Sequence, residues 1–186
     1  MYDVIIIGAG VIGASIARKL SMYQLKVLVI EKENDVCEGT SCANSAIIHS
    51  GYDPEPNSLK AILNVKGNKM YDQICEELDV QFRRNGSITL ANDDEEVKLL
   101  EKLYLRGVKN GVEVHLLSHE ELINIEPNIT KQVKKGLYAP SAGIINPFEL
   151  NVALLENAMD NGIELSLNDK VEKIERNEDY FVIYSN

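Results

Sequence analysis

The sequence predicts an α/β fold in which a parallel sheet is opened by a strand, helix, strand unit and interrupted by an inserted α+β layer. Three observations carry this expectation. Residues 3–31 run through a buried-strand pattern, a helical pattern and a second buried-strand pattern. Between about 79 and 140 the texture shifts to short strands and charge-rich helices. A helical stretch over 146–162 and a short apolar strand then resume the opening pattern. Regular strand and helix alternation indicates a parallel sheet with helices on its faces.

The elements follow in order. "DVIIIGAG" is a β-branched run ending in glycine, and "KVLVIEK" is a second, as expected for fully buried strands. "VIGASIARKLSMY" between them has Ile12, Ile16 and Leu20 four apart, a helical spacing. This makes a βαβ unit with a parallel strand pair. Residues 57–78 read as a helix marked by Leu59, Leu63, Met70, Ile74 and Leu78. "VQFRRNGSITLAN" (80–92) reads as two short strands turning at Asn85-Gly86. Residues 93–111 begin with acids and stop at Asn-Gly, a surface helix whose charges suit its dipole. "VEVHLL" is a strand, Ser118 with Glu121 forms a capping box for the next helix, and "KKGLYAP" is a further strand. "NPFELNVALLENAMDNG" is a helix, "IELSL" a strand, and 170–186 a hairpin around residues 177–179. The expected segments are 1–78, 79–140 and 141–186, with the first and last belonging to one domain.

Composition narrows the function. The chain has 186 residues, 45% of them hydrophobic and 26% charged, which is ordinary for a globular protein. Its 19 basic and 29 acidic residues give a net charge of −10 with no basic cluster, which argues against nucleic acid and anionic membrane surfaces as partners. Cys37, Cys42 and Cys75 form no C-x-x-C motif, so a metal or disulfide framework is not expected. The N-terminus lacks a basic leader and a long apolar run. A cytoplasmic location is expected, with peripheral membrane association of the full-length protein left open.

Gly8-Ala9-Gly10-Val11-Ile12-Gly13 fits G-x-G-x-x-G between a strand and a helix, the context that gives this motif meaning. The first glycine permits the tight turn, the second lets a pyrophosphate approach the backbone, and the third lets helix pack on strand. The helix start then offers unpaired N–H groups and a positive dipole end. Glu31 stands at the end of the second strand, where an acid accepts ribose hydroxyls and repels a 2′-phosphate, and Lys32 follows it. This is a Rossmann-type nucleotide site. The bland alternative is a glycine turn with an exposed acid.

Eight of the fifteen residues in "GTSCANSAIIHSGYD" (39–53) are Gly, Ala, Ser or Thr. The stretch is either a flexible surface loop or a wall of the nucleotide site. Its Thr40-Ser41, Asn44-Ser45 and His49-Ser50-Gly51-Tyr52, taken with the glycine motif, Glu31 and "APSAGIINPFEL" (139–150), resemble the FAD-dependent oxidoreductases of the D-amino acid oxidase/glycine oxidase superfamily. The resemblance covers essentially the whole chain. It is strongest to the anaerobic-type glycerol-3-phosphate dehydrogenase branch and extends to L-2-hydroxyglutarate dehydrogenases over "NSAIIHSGYDPEPNSLKA".

The resemblance implies a Rossmann-type FAD-binding domain, present in part, with an inserted piece of a substrate domain. It implies Thr40 and Ser41 near pyrophosphate or ribityl, Asn44 and Ser45 towards the flavin ring, Val171 meeting adenine through its backbone, and His49 beside the isoalloxazine as the candidate catalytic residue. His49 is also open to a packing role. The implied reaction is oxidation of a small anionic 2-hydroxy compound by hydride transfer to flavin. Glycerol 3-phosphate, giving dihydroxyacetone phosphate, is favoured, and L-2-hydroxyglutarate is the alternative. The electron acceptor is not identified. Two rivals remain: a nicotinamide-dependent dehydrogenase, and a nucleotide-binding module without turnover.

His115 and His119 are expected to be structural, Cys42 a buried small residue, and Arg83-Arg84 a solvated edge. Only three parallel strands are expected, at 3–7, 26–31 and about 163–167, where a doubly wound fold has five or six. The chain is therefore expected to be the first part of a longer enzyme, inactive alone and prone to self-association through open sheet edges.

Overall fold

A computed structural model describes all of residues 1–186. The element order is β1 (Val4–Ile7), α1 (Val11–Leu20), β2 (Val27–Ile30), β3 (Ile47–Ile48), α2 (Leu59–Leu78), β4 (Phe82–Arg83), β5 (Ser87–Ala91), α3 (Asp94–Lys109), β6 (His115–Ser118), α4 (His119–Ile125), β7 (Lys135–Ala139), β8 (Gly143–Ile145), α5 (Pro147–Asp160), β9 (Glu164–Ser166), β10 (Val171–Arg176) and β11 (Phe181–Ser185). The chain divides into two compact units: Met1–Ser45 with Glu76–Val80 and Asn146–Asn186, and Ala46–Cys75 with Gln81–Ile145.

The first unit holds a parallel sheet in the order β1-β2-β9, as the βαβ reading requires. β2 reads VLVI, and Val27, Val29 and Ile30 are buried, so it is the central strand of an apolar sheet. α1 turns Ala14 and Ala17 inward, both fully buried, and packs against α5. The Ile12, Ile16 and Leu20 spacing correctly marks a helix, but Ile12 and Ile16 are exposed. Small residues take the inner face because helix and sheet lie close together there. α5 starts at Asn146, whose side chain accepts from the Phe148 and Glu149 N–H groups, with Pro147 in its first turn. It buries Leu150, Leu154, Leu155 and Ala158. Each buried leucine contributes about 1.5–3 kcal/mol. β10 and β11 pair antiparallel, as the hairpin reading expected.

The second unit contains two antiparallel sheets, β3-β8-β4 and β5-β7-β6. Ala91, Leu100, Val112, Val114, Leu137 and Ala139 form a buried cluster beneath α3. Asp93 caps α3, and the Ser118 and Glu121 capping box at α4 is present in both directions.

The Asn85-Gly86 hairpin is a correction. β4 pairs with β8 and β5 pairs with β7, so the two strands lie in different sheets. A two-residue hairpin turn of the Asn-Gly type needs positive φ at both central residues. Gly86 has φ +73°, but Asn85 is not among the residues with positive φ. The Gly86 N–H instead donates to the Ala142 carbonyl at 3.0 Å, making a corner between sheets.

No helix is long and apolar enough to cross a membrane.

Candidate functional site

The glycine turn follows from β1 running out at Ile7. Gly8 has φ +103°, which L side chains rarely adopt, and its N–H donates to the Ile30 carbonyl at 2.8 Å. A Cβ on Gly13 would fall 2.0 Å from the Gly8 carbonyl oxygen, so only glycine lets α1 begin this close to the strand. A Cβ on Gly10 would meet Ser41 Oγ at 2.9 Å. That hydroxyl accepts from the Val11 N–H at 2.9 Å. Gly10, the N-cap residue, has no side chain for this, and Ser41 caps α1 from thirty positions away.

Ala9 is buried and fixed on both sides. Its N–H donates to Glu31 Oε2 at 2.7 Å, and its carbonyl accepts from Asn151 Nδ2 at 2.9 Å and from the Cys37 N–H at 3.4 Å. Glu31 Oε1 accepts from the Glu33 N–H at 3.1 Å. A carboxylate has about four acceptor positions, so the pair keeps capacity for further donors.

These groups border a cavity of about 500 Å³ lined by Gly8, Gly10, Glu31, Lys32, Thr40, Ser41 and Val171. Val11, Ile12 and Gly13 line a shallower depression of about 270 Å³ with Gly8, Gly10 and Ser41. The larger cavity also carries Glu33, Glu38, Asp169 and Lys170. Acids outnumber lysines in it, so a bound phosphate depends on backbone N–H groups and the helix dipole. Hydrogen bonds from Ser185 and then Ser166 hold the Asp169 carboxyl below its usual range. Asn44 donates to the Ser41 carbonyl at 2.7 Å and the Thr40 carbonyl at 3.3 Å, bracing the turn. Asn44 and Ser45 are exposed and line neither cavity.

His49 belongs to the second unit. It is exposed and lines a cavity of about 400 Å³ with Ser50, Tyr52, Lys60, Asn64 and Thr89 among its walls. Asn68, buried in α2, donates to the His49 carbonyl at 3.0 Å and the Ser141 carbonyl at 2.9 Å. Tyr52 and Thr89 share a hydroxyl hydrogen bond of 2.7 Å.

The family model for FAD dependent oxidoreductases matches residues 3–184. The chain belongs to the FAD-dependent oxidoreductase family. Among curated relatives of this oxidoreductase chain, glycerol 3-phosphate dehydrogenase of Caloramator mitchellensis is 53% identical over 187 residues, covering 100% of the chain and 39% of the relative. Mitochondrial L-2-hydroxyglutarate dehydrogenase of Dictyostelium discoideum is 38% identical over 155 residues, covering 81% of the chain and 34% of the relative. Among solved structures, dithionite-reduced L-alpha-glycerophosphate oxidase of Mycoplasma pneumoniae with FAD bound superposes with a TM-score of 0.91 at 31% identity, covering 100% of the chain and 50% of that structure. The chain thus spans from about a third to half of the length of these relatives. Family membership separates it from the nicotinamide-dependent dehydrogenases that share the glycine motif.

The glycine cradle of this FAD-dependent oxidoreductase fits a dinucleotide on its own geometry: Gly8 supplies the positive φ, and Gly10 and Gly13 stand where a Cβ would collide. Two participants escaped the sequence reading. Asn151 sits in the middle of a helix with nothing local to mark it, and the backbone of Cys37 reaches Ala9 through a loop. An amide among inward-facing leucines is the one available signal for Asn151. Arg84 is a second correction, since it is no solvated edge. Its guanidinium donates to Asp72, to the Asn68 carbonyl at 2.8 Å and to the Ser141 carbonyl at 2.5 Å. Arg83 is exposed as expected. Cys42 is half-buried, its thiol donating to the Gly39 carbonyl at 2.9 Å, whereas Cys37 and Cys75 are the buried cysteines. Burial foremost pushes the Cys37 thiol pKa up, which makes it a poor nucleophile. His115 pairs with Glu113 at 3.0 Å and stacks on Tyr138, and His119 opens α4. Neither lines these cavities.

Proposed function

We propose that the protein binds FAD and oxidises a small anionic 2-hydroxy compound, with glycerol 3-phosphate the favoured substrate and dihydroxyacetone phosphate the product. The observation that carries this is the 53% identity to a glycerol 3-phosphate dehydrogenase across the whole chain, in a chain whose glycine cradle has the stereochemistry a pyrophosphate needs. When bound, the flavin supplies the hydride acceptor. The residues here hold and orient it. The turn at Gly8, Gly10 and Gly13 and the first turn of α1 take the pyrophosphate, with Thr40 and Ser41 beside it. Glu31 accepts the ribose hydroxyls on its remaining lone pairs, Lys32 flanks it, and Val171 offers backbone to the adenine. Asn44 and Ser45 serve the flavin end. His49 takes up the substrate hydroxyl proton as the general base.

L-2-hydroxyglutarate is the second reading, favoured by the 38% identity to the Dictyostelium enzyme. The test is chromophore release from the whole protein followed by dye-coupled oxidation of both substrates. Glu31→Arg, which sets a cation against the ribose and the Ala9 N–H, is expected to abolish FAD retention. Well-folded protein without flavin would refute the cofactor. Retained flavin with turnover of neither compound would refute the substrate class and favour a binding module.

A further inference from the structure

The cavity around His49 carries the makings of an anion site. Its one lysine, Lys60, lies in the first turn of α2 and takes part in none of the chain's ion pairs. Asn64 lines the same cavity one turn later, and residues four apart share a helix face. The start of α2 adds its positive dipole end, with Ser58 Oγ accepting only the Ala61 N–H, at 3.1 Å. Ser50 is an independent observation. It lines the cavity, it is 4% exposed, and its Oγ is buried with no hydrogen-bond partner. Buried hydroxyls are normally paired, so Ser50 keeps an unused donor just beneath the cavity wall, within a side-chain rotation of it. The remaining titratable groups in the lining are His49, Tyr52 and Asp53. The Tyr52 hydroxyl is engaged with Thr89, and Arg106 donates to the Asp53 carbonyl while pairing with Glu55.

From this arrangement we infer that Lys60, with Asn64 and Ser50, grips the charged end of the substrate, a phosphate or carboxylate, in the cavity that holds His49. This rests on the substrate class proposed above. Lys60 supplies the countercharge, Asn64 and Ser50 supply directional donors, and Asp53 opposes them as the one carboxylate in the wall. The site thus selects charged over neutral hydroxy compounds, and Lys60 is its specificity-determining residue.

The whole FAD-loaded protein is assayed with glycerol 3-phosphate and with L-2-hydroxyglutarate, the two arms separating phosphate from carboxylate. Lys60→Gln is expected to raise KM for the oxidised substrate about tenfold or more, with a smaller change in kcat, because a charge-assisted contact is lost. Lys60→Arg restores most of the affinity, and Asp53→Asn lowers KM. An unchanged KM in Lys60→Gln overturns the inference and leaves the proposed reaction standing. If the parent protein oxidises neither compound, the reaction falls, and titration of the 186-residue chain with inorganic phosphate decides the site separately. A saturable shift of the Lys60 side-chain resonance, lost in Ser50→Ala, supports it, and no shift overturns it.

Discussion

At the residue scale, Ala9 shows how a backbone turn becomes a site. Its peptide groups meet a carboxylate on one side and an amide and an N–H on the other, so the turn cannot relax. Asn151 is fully buried, and while its Nδ2 holds the Ala9 carbonyl, its Oδ1 has no partner. Replacing it by leucine removes a hydrogen bond and an unsatisfied oxygen together. The two effects offset, and stability is expected to change by no more than about 1 kcal/mol. The turn loses its clamp, so FAD affinity is expected to fall about tenfold. Urea unfolding beside flavin titration separates the two. Unchanged affinity in Asn151→Leu would show that Glu31 and Cys37 suffice. Only part of this was legible in the sequence. Gly8, Gly10, Gly13 and Glu31 announce themselves because the glycine motif and an acid about twenty residues on form a recurring spacing. The partnership of Ala9 with Asn151, and of Val11 with Ser41, spans distant positions and leaves no period or motif.

At the element scale, apolar runs with a clear period or a flanking turn read correctly even when short, as with three-residue β9, whereas β3 and β8 were not read as strands. β1 and β2 are continuous, mostly β-branched runs and α3 and α5 carry caps and a helical period, whereas β3, with two residues, and β8, with three, lie inside stretches rich in small residues. The misread corner at Asn85-Gly86 arose because turn chemistry is local but strand pairing is not. The link from β9 to β10 carries a pH prediction. Asn168, at φ +52°, donates to the Glu33 carbonyl, and the Asp169 N–H donates to the Glu31 carbonyl, both at 2.9 Å. The Asp169 carboxylate accepts from Ser166 Oγ at 2.7 Å and from Ser185. Its folded pKa is depressed, so its stabilising contribution is present above its unfolded pKa of about 3.9 and is lost as pH falls through the lower folded value. The gap in denaturation midpoint between the parent and Asp169→Asn is therefore expected to be full above about pH 5 and to close in stronger acid. A gap independent of pH would show that the carboxylate's charge is not involved.

For the whole molecule, the exposed apolar surface governs behaviour in solution. Ile12 and Ile16 form a stripe on α1, and Leu59, Leu63 and Met70 mark α2, each at least 45% exposed. β1 and β9 each pair on one side only. Contiguous apolar surface and open strand edges both favour association. The 186-residue chain is expected to form dimers or larger species in sedimentation velocity at micromolar concentration, and Ile12→Lys with Ile16→Glu is expected to shift it towards monomer. A monomer in the parent chain would show that the stripe is tolerated in water.

The clamp on Ala9 also sets an order of events during synthesis. The glycine turn leaves the ribosome well before the amide that holds it, which is 142 positions downstream. Chains grow at about 5–20 residues per second, so the turn spends at least several seconds without that partner. On the proposed reading, nucleotide affinity is expected to rise late, when α5 folds back on α1, and a nascent chain stalled before Asn151 is expected to carry the motif with a weaker grip.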